Sequence, residues 1–147
     1  MTTRLDLQGF LPYRLSIAAT AVSKRIARAY ADRFGLSIPQ WRCVAVLGER
    51  ASATQQDLCA ATLMDKVAVS RAAAGLEARH LIVRVEDQRD GRARRGSLTA
   101  EGRSLYEAIV PLALHHEADI LADLSADDIH TLTALLAKIE VAARRGD

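Results

Sequence analysis

Two cysteines, three prolines, eight glycines and an aromatic share of 4% are what this 147-residue chain has little of. Two cysteines make no disulfide framework, and in an apolar-rich chain they read as the reduced thiols of a cytosolic protein. So few Gly and Pro exclude a fibrous or low-complexity chain. Scarce aromatics beside abundant Ala and Leu disfavour a β-sandwich or barrel and favour helices. No run approaches the roughly 18 apolar residues that cross a bilayer, and the opening MTTRLDLQGF has no apolar signal core. Phosphate-cradling glycine loops, a nucleophile elbow and a recognisable acid–base pair are also missing, so an enzyme is not expected. What is there is 50% hydrophobic and 26% charged, enough for the core of one domain.

The net charge of +2 conceals an uneven distribution. Lys24 to Arg42 carries +4, Asp65 to Arg95 carries +3, and Ala100 to Asp147 carries −5. A basic middle suits a polyanionic partner, while the acidic C-terminal part serves another purpose.

Periodicity gives the elements. Pro12 opens a helix with Leu15, Ala19, Val22, Ile26 and Ala29 on one stripe, running to about Phe34 and ended by Gly35. Pro39 starts a second helix carrying Trp41 and Val44. Thr54-Gln-Gln-Asp is a capping-box pattern for a short third helix that stops near Thr62. Asp65 caps a fourth with Val69, Ala72, Ala73 and Leu76 buried. After His80 the period changes to two: Ile82 to Glu86 reads as a strand and Arg95 to Thr99 as its return, with a long polar loop between. Thr99 caps a fifth helix containing Pro111, which is expected to kink it. Ser125 caps a sixth with Ile129, Leu132, Leu136, Ile139 and Ala143 as its buried face.

The fold class is therefore mainly α with a small β-hairpin wing. Residues 36–99 form a winged helix-turn-helix, and 10–34 and 100–145 form dimerisation helices, all within one domain spanning 1–147. The long outer stripes are too large for so small a centre to cover, so a second copy is expected to pair with them. The fourth helix would enter a major groove through Lys66, Val67, Ala68, Ser70 and Arg71, with Thr54 and Gln55 on the helix before it. The hairpin carries Arg89, Arg92, Arg94 and Arg95 within seven residues, with Asp90 among them, a basic finger suited to a minor groove.

In these residues the chain resembles the MarR family of winged-helix regulators. The matching segments are Leu36 to Trp41, Thr54 to Leu58, Asp65 to Arg71 with Leu76-Glu77, and the wing with Asp87, Asp90-Gly-Arg92 and Ser97-Leu-Thr-Ala-Glu-Gly102. The resemblance covers roughly Leu11 to Val110. It implies a homodimer on a palindromic operator, usually a repressor released by a phenolic or carboxylate effector. It further implies that Arg92 is the wing-tip residue and Asp90 the acid pairing with it. The chain departs from the family pattern at Leu63, where the turn usually has Gly, and at Val67 and Ala68, where hydroxyls are common.

Other readings compete. Tyr13, Arg14 and Trp41 combine aromatic faces with a carboxylate-binding guanidinium and are the candidate effector residues. Cys43 and Cys59 could sense oxidants but sit in apolar surroundings and read as structural. His115, His116, Glu117 and Asp119 could hold a metal, yet no second ligand cluster accompanies them, so no metal or cofactor is expected. A winged-helix module for protein contacts alone would carry a neutral or acidic wing, unlike this one.

Overall fold

The computed structural model describes residues 2–146, so the outermost residues of the single-domain reading, Met1 and Asp147, lie outside the described residues. Helix α1 spans Leu11–Ala27, with Pro12 in its first turn. The stripe expected to continue to Phe34 is interrupted. Arg28, Ala29 and Tyr30 turn back with their N–H groups donating to the carbonyls three residues earlier, and a separate short helix α2 follows at Ala31–Phe34. The break serves burial: Ala29 and Tyr30 are 2% and 1% exposed. Adjacent residues on a continuous helix point about 100° apart, so burying both on one narrow stripe is difficult. Gly35 ends α2 in the left-handed region at φ 65°, and Arg79 donates to the Phe34 and Gly35 carbonyls at 2.8 and 3.2 Å.

Helix α3, Ile38–Glu49, starts one turn position earlier than Pro39 suggests, because Ser37 and Gln40 form a reciprocal capping box. A two-residue strand β1, Ala53–Thr54, leads into α4, Gln55–Thr62, and then α5, Lys66–Ala78. The wing is β2, Ile82–Glu86, and β3, Arg94–Leu98. The sheet is antiparallel and three-stranded rather than two-stranded, in the order β1-β3-β2, with Thr54 and Val85 both opposite Arg95. Two residues are too few for any periodicity to announce β1. Helix α6, Ala100–Ile120, runs on through Pro111. Its start presses on the strand entry: a Cβ at Gly102 would collide with the Leu81 carbonyl oxygen, which explains a glycine three residues after the capping Thr99. Helix α7, Ala126–Ala143, begins at a Ser125–Asp128 capping box and ends in a 3-10 turn, Arg144–Gly146.

The core joins Val44 and Leu47 of α3, Val69 and Leu76 of α5, Ile82 of β2, Ile109 of α6 and Tyr30. Trp41 stacks between Tyr30 and Tyr106, at centroid distances of 5.3 and 6.3 Å. The apolar stripe of α7 does not belong to this core. Leu132, Leu136 and Ile139 are exposed and Ile129 only half-buried, contrary to the burial its pattern predicts, because among the described residues no other helix or strand packs extensively on that face. Within α1, likewise, no residue is fully buried.

Candidate nucleic-acid interface

Helices α4 and α5 meet at a tight turn, and α5 presents its first turn outward. Thr54 caps α4: its hydroxyl accepts the Asp57 N–H at 3.1 Å, and Asp57 accepts the Thr54 N–H at 2.9 Å. These bonds, Thr54's backbone N–H foremost, hold the Asp57 carboxyl below the usual carboxylate range, helped by the nearby Arg95 charge. Leu63 then takes the turn at φ 54°, ψ 20°, with its N–H on the Cys59 carbonyl. Leu63 thus adopts the left-handed backbone that glycine usually supplies, and its side chain is 66% exposed. Asp65 caps α5 by accepting the Ala68 N–H at 2.7 Å.

Lys66, Val67, Ser70 and Arg71 are exposed along one edge of α5 and, with Gln55 of α4 and Ala74, line one shallow depression. Ala68 is half-buried, and the Thr54 hydroxyl is engaged in its cap. On the other side of α5, a cavity of about 570 Å³ lies beneath the wing. Leu47, Leu58, Val69 and Ile82 line it, and Lys66, Arg84, Arg92 and Arg94 bring cationic side chains to it.

The wing arginines divide into two sets. Arg89 and Arg92 are exposed, and among the described residues their guanidinium groups meet no hydrogen-bond or ion-pair partner. The same holds for the side chains of Lys66 and Arg71. Arg94 donates to the Arg84 carbonyl at 3.0 Å, while Arg84 pairs with Glu77 and holds its carboxyl below the usual range. Arg95 is turned inward, donating to Ser52 at 3.2 Å and lying 3.7 Å from Asp87 and 3.9 Å from Asp57. Asp90 does not form the expected ion pair with Arg92 within the described residues. Its carboxylate accepts the Arg92 backbone N–H at 3.0 Å, a local turn bond that shapes the loop and leaves the guanidinium free. Ser52, Asp57, Glu77 and Arg84 were not among the expected interface residues. Asp57 had a signal in its capping box; the others join through contacts across the fold.

The candidate effector residues do not converge within the chain. Arg14 binds Gln8 at 3.0 Å in the first turn of α1. Trp41 belongs to the aromatic stack, and its neighbour Arg42 reaches Ser23 at 3.4 Å. Ser23 lies ten residues beyond Tyr13, or about 15 Å along the helix at 1.5 Å per residue.

Cys43 is buried, and burial, with neighbouring Cys59 adding to it, pushes its thiol up to about 11. His115 lies 3.7 Å from Asp119 on the exposed side of α6, and the half-buried His116 has its Nδ1 unpartnered. Among the described residues no group of three or more side chains could hold a metal. No helix among them is long and apolar enough to cross a membrane.

Known proteins align with this geometry. The MarR family model matches residues 34–93, which span α3, α4, α5 and most of the wing. The transcriptional regulator HosA of Escherichia coli O157:H7 is 28% identical over 104 residues, 71% of this chain and 77% of HosA. A solved chain from Pseudomonas aeruginosa, described as a probable transcriptional regulator, is 30% identical with a TM-score of 0.78, covering 91% of this chain and 99% of its own. The chain belongs to the MarR family of transcriptional regulators. NadR in complex with 4-hydroxyphenylacetate is a further structural neighbour, 25% identical with a TM-score of 0.80, covering 95% of this chain and 97% of NadR. The fold and the family are those of DNA-binding winged-helix regulators, not of enzymes.

Proposed function

We propose that this MarR-family chain is a homodimeric cytoplasmic repressor, that it reads a palindromic operator through α5 and the wing, and that an aromatic carboxylate releases it. The observation carrying the DNA contacts is that Lys66, Arg71, Arg89 and Arg92 are exposed cations without protein partners among the described residues, on α5 and the wing. Arg92 and Arg89 enter the minor groove, and Lys66, Ser70 and Arg71 meet phosphates and base edges in the major groove. Val67 and Ala68 offer apolar contacts to thymine methyls. Gln55 approaches the adjoining phosphate from the start of α4, which Thr54 fixes through its cap, and Arg94 supplies charge at the wing's root.

The exposed apolar faces of α1 and α7 support the dimer, since each buried Leu or Ile contributes about 1.5–3 kcal/mol. An effector of the 4-hydroxyphenylacetate type, the ligand of NadR, suits the cavity beneath the wing, whose apolar floor meets Lys66 and Arg92. An anion there neutralises two of the charges that DNA needs. A site built from Tyr13, Arg14 and Trp41 would require the partner protomer to bring them together.

The test is a binding titration against the DNA upstream of the chain's own gene, with a random duplex as control, at several salt concentrations. Tight, sequence-dependent binding with a steep salt slope is expected. The Arg92→Ala variant should bind about 1–3 kcal/mol more weakly, and added 4-hydroxyphenylacetate should displace the operator. Equal weak binding to both duplexes overturns the operator reading, and unchanged affinity in Arg92→Ala removes that residue from the interface.

A further inference from the structure

We infer that Arg95 is a positioning residue of the wing, an internal clasp that sets the angle between the arginine finger and α4, and not a contact to DNA. The inference rests on the DNA-binding reading of the wing and adds a division of labour among its arginines.

Arg95 lies on β3, the central strand, flanked by Thr54 of β1 and Val85 of β2. Its one planar guanidinium reaches three separate segments. Nη1 donates to Ser52 at the lead-in to β1 and lies 3.9 Å from Asp57 in the first turn of α4. Nε faces Asp87, at the root of the wing loop, at 3.7 Å. Only a fork of several donors can address three such groups at once, which a lysine ammonium does poorly.

Asp87 shows why the clasp matters. Its side chain is only 12% exposed, so a carboxylate there needs a nearby countercharge. Besides Arg95 it accepts the Arg89 N–H at 3.3 Å, and the Asp87 N–H donates to the Ala93 carbonyl at 2.9 Å. Asp87 therefore ties off both ends of the loop that displays Arg89 and Arg92, and Arg95 ties Asp87 to the helix-turn-helix. Asp57, in turn, is the residue that closes the α4 cap. Removal of Arg95 strips Asp57 and Asp87 of their shared countercharge, and the finger loses its fixed bearing. The Arg95 guanidinium is held by acids of the protein, so it meets no phosphate and adds nothing to the salt slope.

Salt dependence separates the two roles. Each phosphate contact contributes about 0.9 to the slope of log affinity against log salt. Arg95→Gln should weaken operator binding about tenfold, as the loss of a coupled ion-pair network does, with the slope unchanged. Arg92→Ala should flatten the slope by about 0.9. In a double-mutant cycle, Asp87→Asn should cost less in the Arg95→Gln background than in the wild type. Limited trypsin digestion without DNA should cut after Arg89 and Arg92 faster in Arg95→Gln, while thermal melting confirms that the fold persists. If Arg95→Gln fails to fold, Arg95→Lys replaces it, with an intermediate loss expected at constant slope. A slope reduced by about 0.9 in either Arg95 variant, or unchanged digestion of the wing, overturns the clasp. Absence of any DNA binding by the wild-type protein sinks the functional reading instead, and the digestion still judges the clasp.

Discussion

At the scale of single residues, the structure distinguishes side chains that the composition alone makes equivalent. Four wing arginines look alike in the sequence, yet among the described residues two have no side-chain partner, one leans on a carbonyl and one is engaged by acids from α4 and the wing root. The unpartnered pair, Arg89 and Arg92, is the one proposed to meet DNA, and its place in the wing loop is marked in the sequence by the density of charge. The engaged one was not legible, because Asp57 lies 38 positions away in sequence and only sheet pairing brings it near. Leu63 was legible as an oddity. The turn between α4 and α5 wants a left-handed residue, and Leu63 holds that conformation at φ 54°, at a cost of about 1–2 kcal/mol to a residue with a Cβ. Its side chain is exposed, so little packing compensates. Replacement of Leu63 by glycine removes the steric strain and loses some of the gain to the freer unfolded chain. The expected result is a net stabilisation of roughly 0.5–1 kcal/mol, read as a higher midpoint in thermal or denaturant unfolding. A lower midpoint would mean that Leu63 contributes packing.

At the scale of elements, caps fix where helices start, and they are the best-read feature of the sequence. Thr54, Asp65, Thr99 and Ser125 all accept the backbone N–H groups that their patterns predict. Ser37 escaped notice because Pro39 drew the boundary forward by its fixed φ. The α4 cap has a measurable pH signature. Asp57 titrates below its usual value when folded, so its bonds stabilise the protein fully above the unfolded value near 3.8 and lose that contribution as pH falls through the lower folded value. Thr54→Ala should destabilise the fold by about 1 kcal/mol at neutral pH, and the difference from wild type should shrink as acid protonates Asp57. A difference that stays constant to strongly acidic pH would show that the cap does not depend on the carboxylate. The strand β1 shows the limit of such reading, since a pair of residues has no period and owes its extended state to β3 alongside it.

At the scale of the whole molecule, hydrophobic patterning marks faces that need cover, and the proposed dimer is the reading that supplies it. The stripe on α7 is expected to be buried, and in the chain by itself it faces outward. The pattern reports that these residues require cover, and the length of the stripe beside so small a centre is what points to a second copy. Charges placed on that face, in a Leu132→Glu, Leu136→Glu double variant, should leave the α3–β3 core intact. They should shift the protein to monomer in sedimentation velocity at micromolar concentration and lower operator affinity, since paired recognition helices reach two half-sites together. A double variant that sediments like the wild type would place the subunit contact elsewhere.

Trp41, the chain's one tryptophan, is held between Tyr30 before α2 and Tyr106 on α6. Nature has thereby installed a fluorophore at the seam between the reading head and the long helices. Light absorbed by either tyrosine passes to the indole over these short separations, and its emission colour registers how dry the half-closed stack remains. A signal from Trp41 that changes with an effector, but not with short DNA, would thus time motion at the seam without any label.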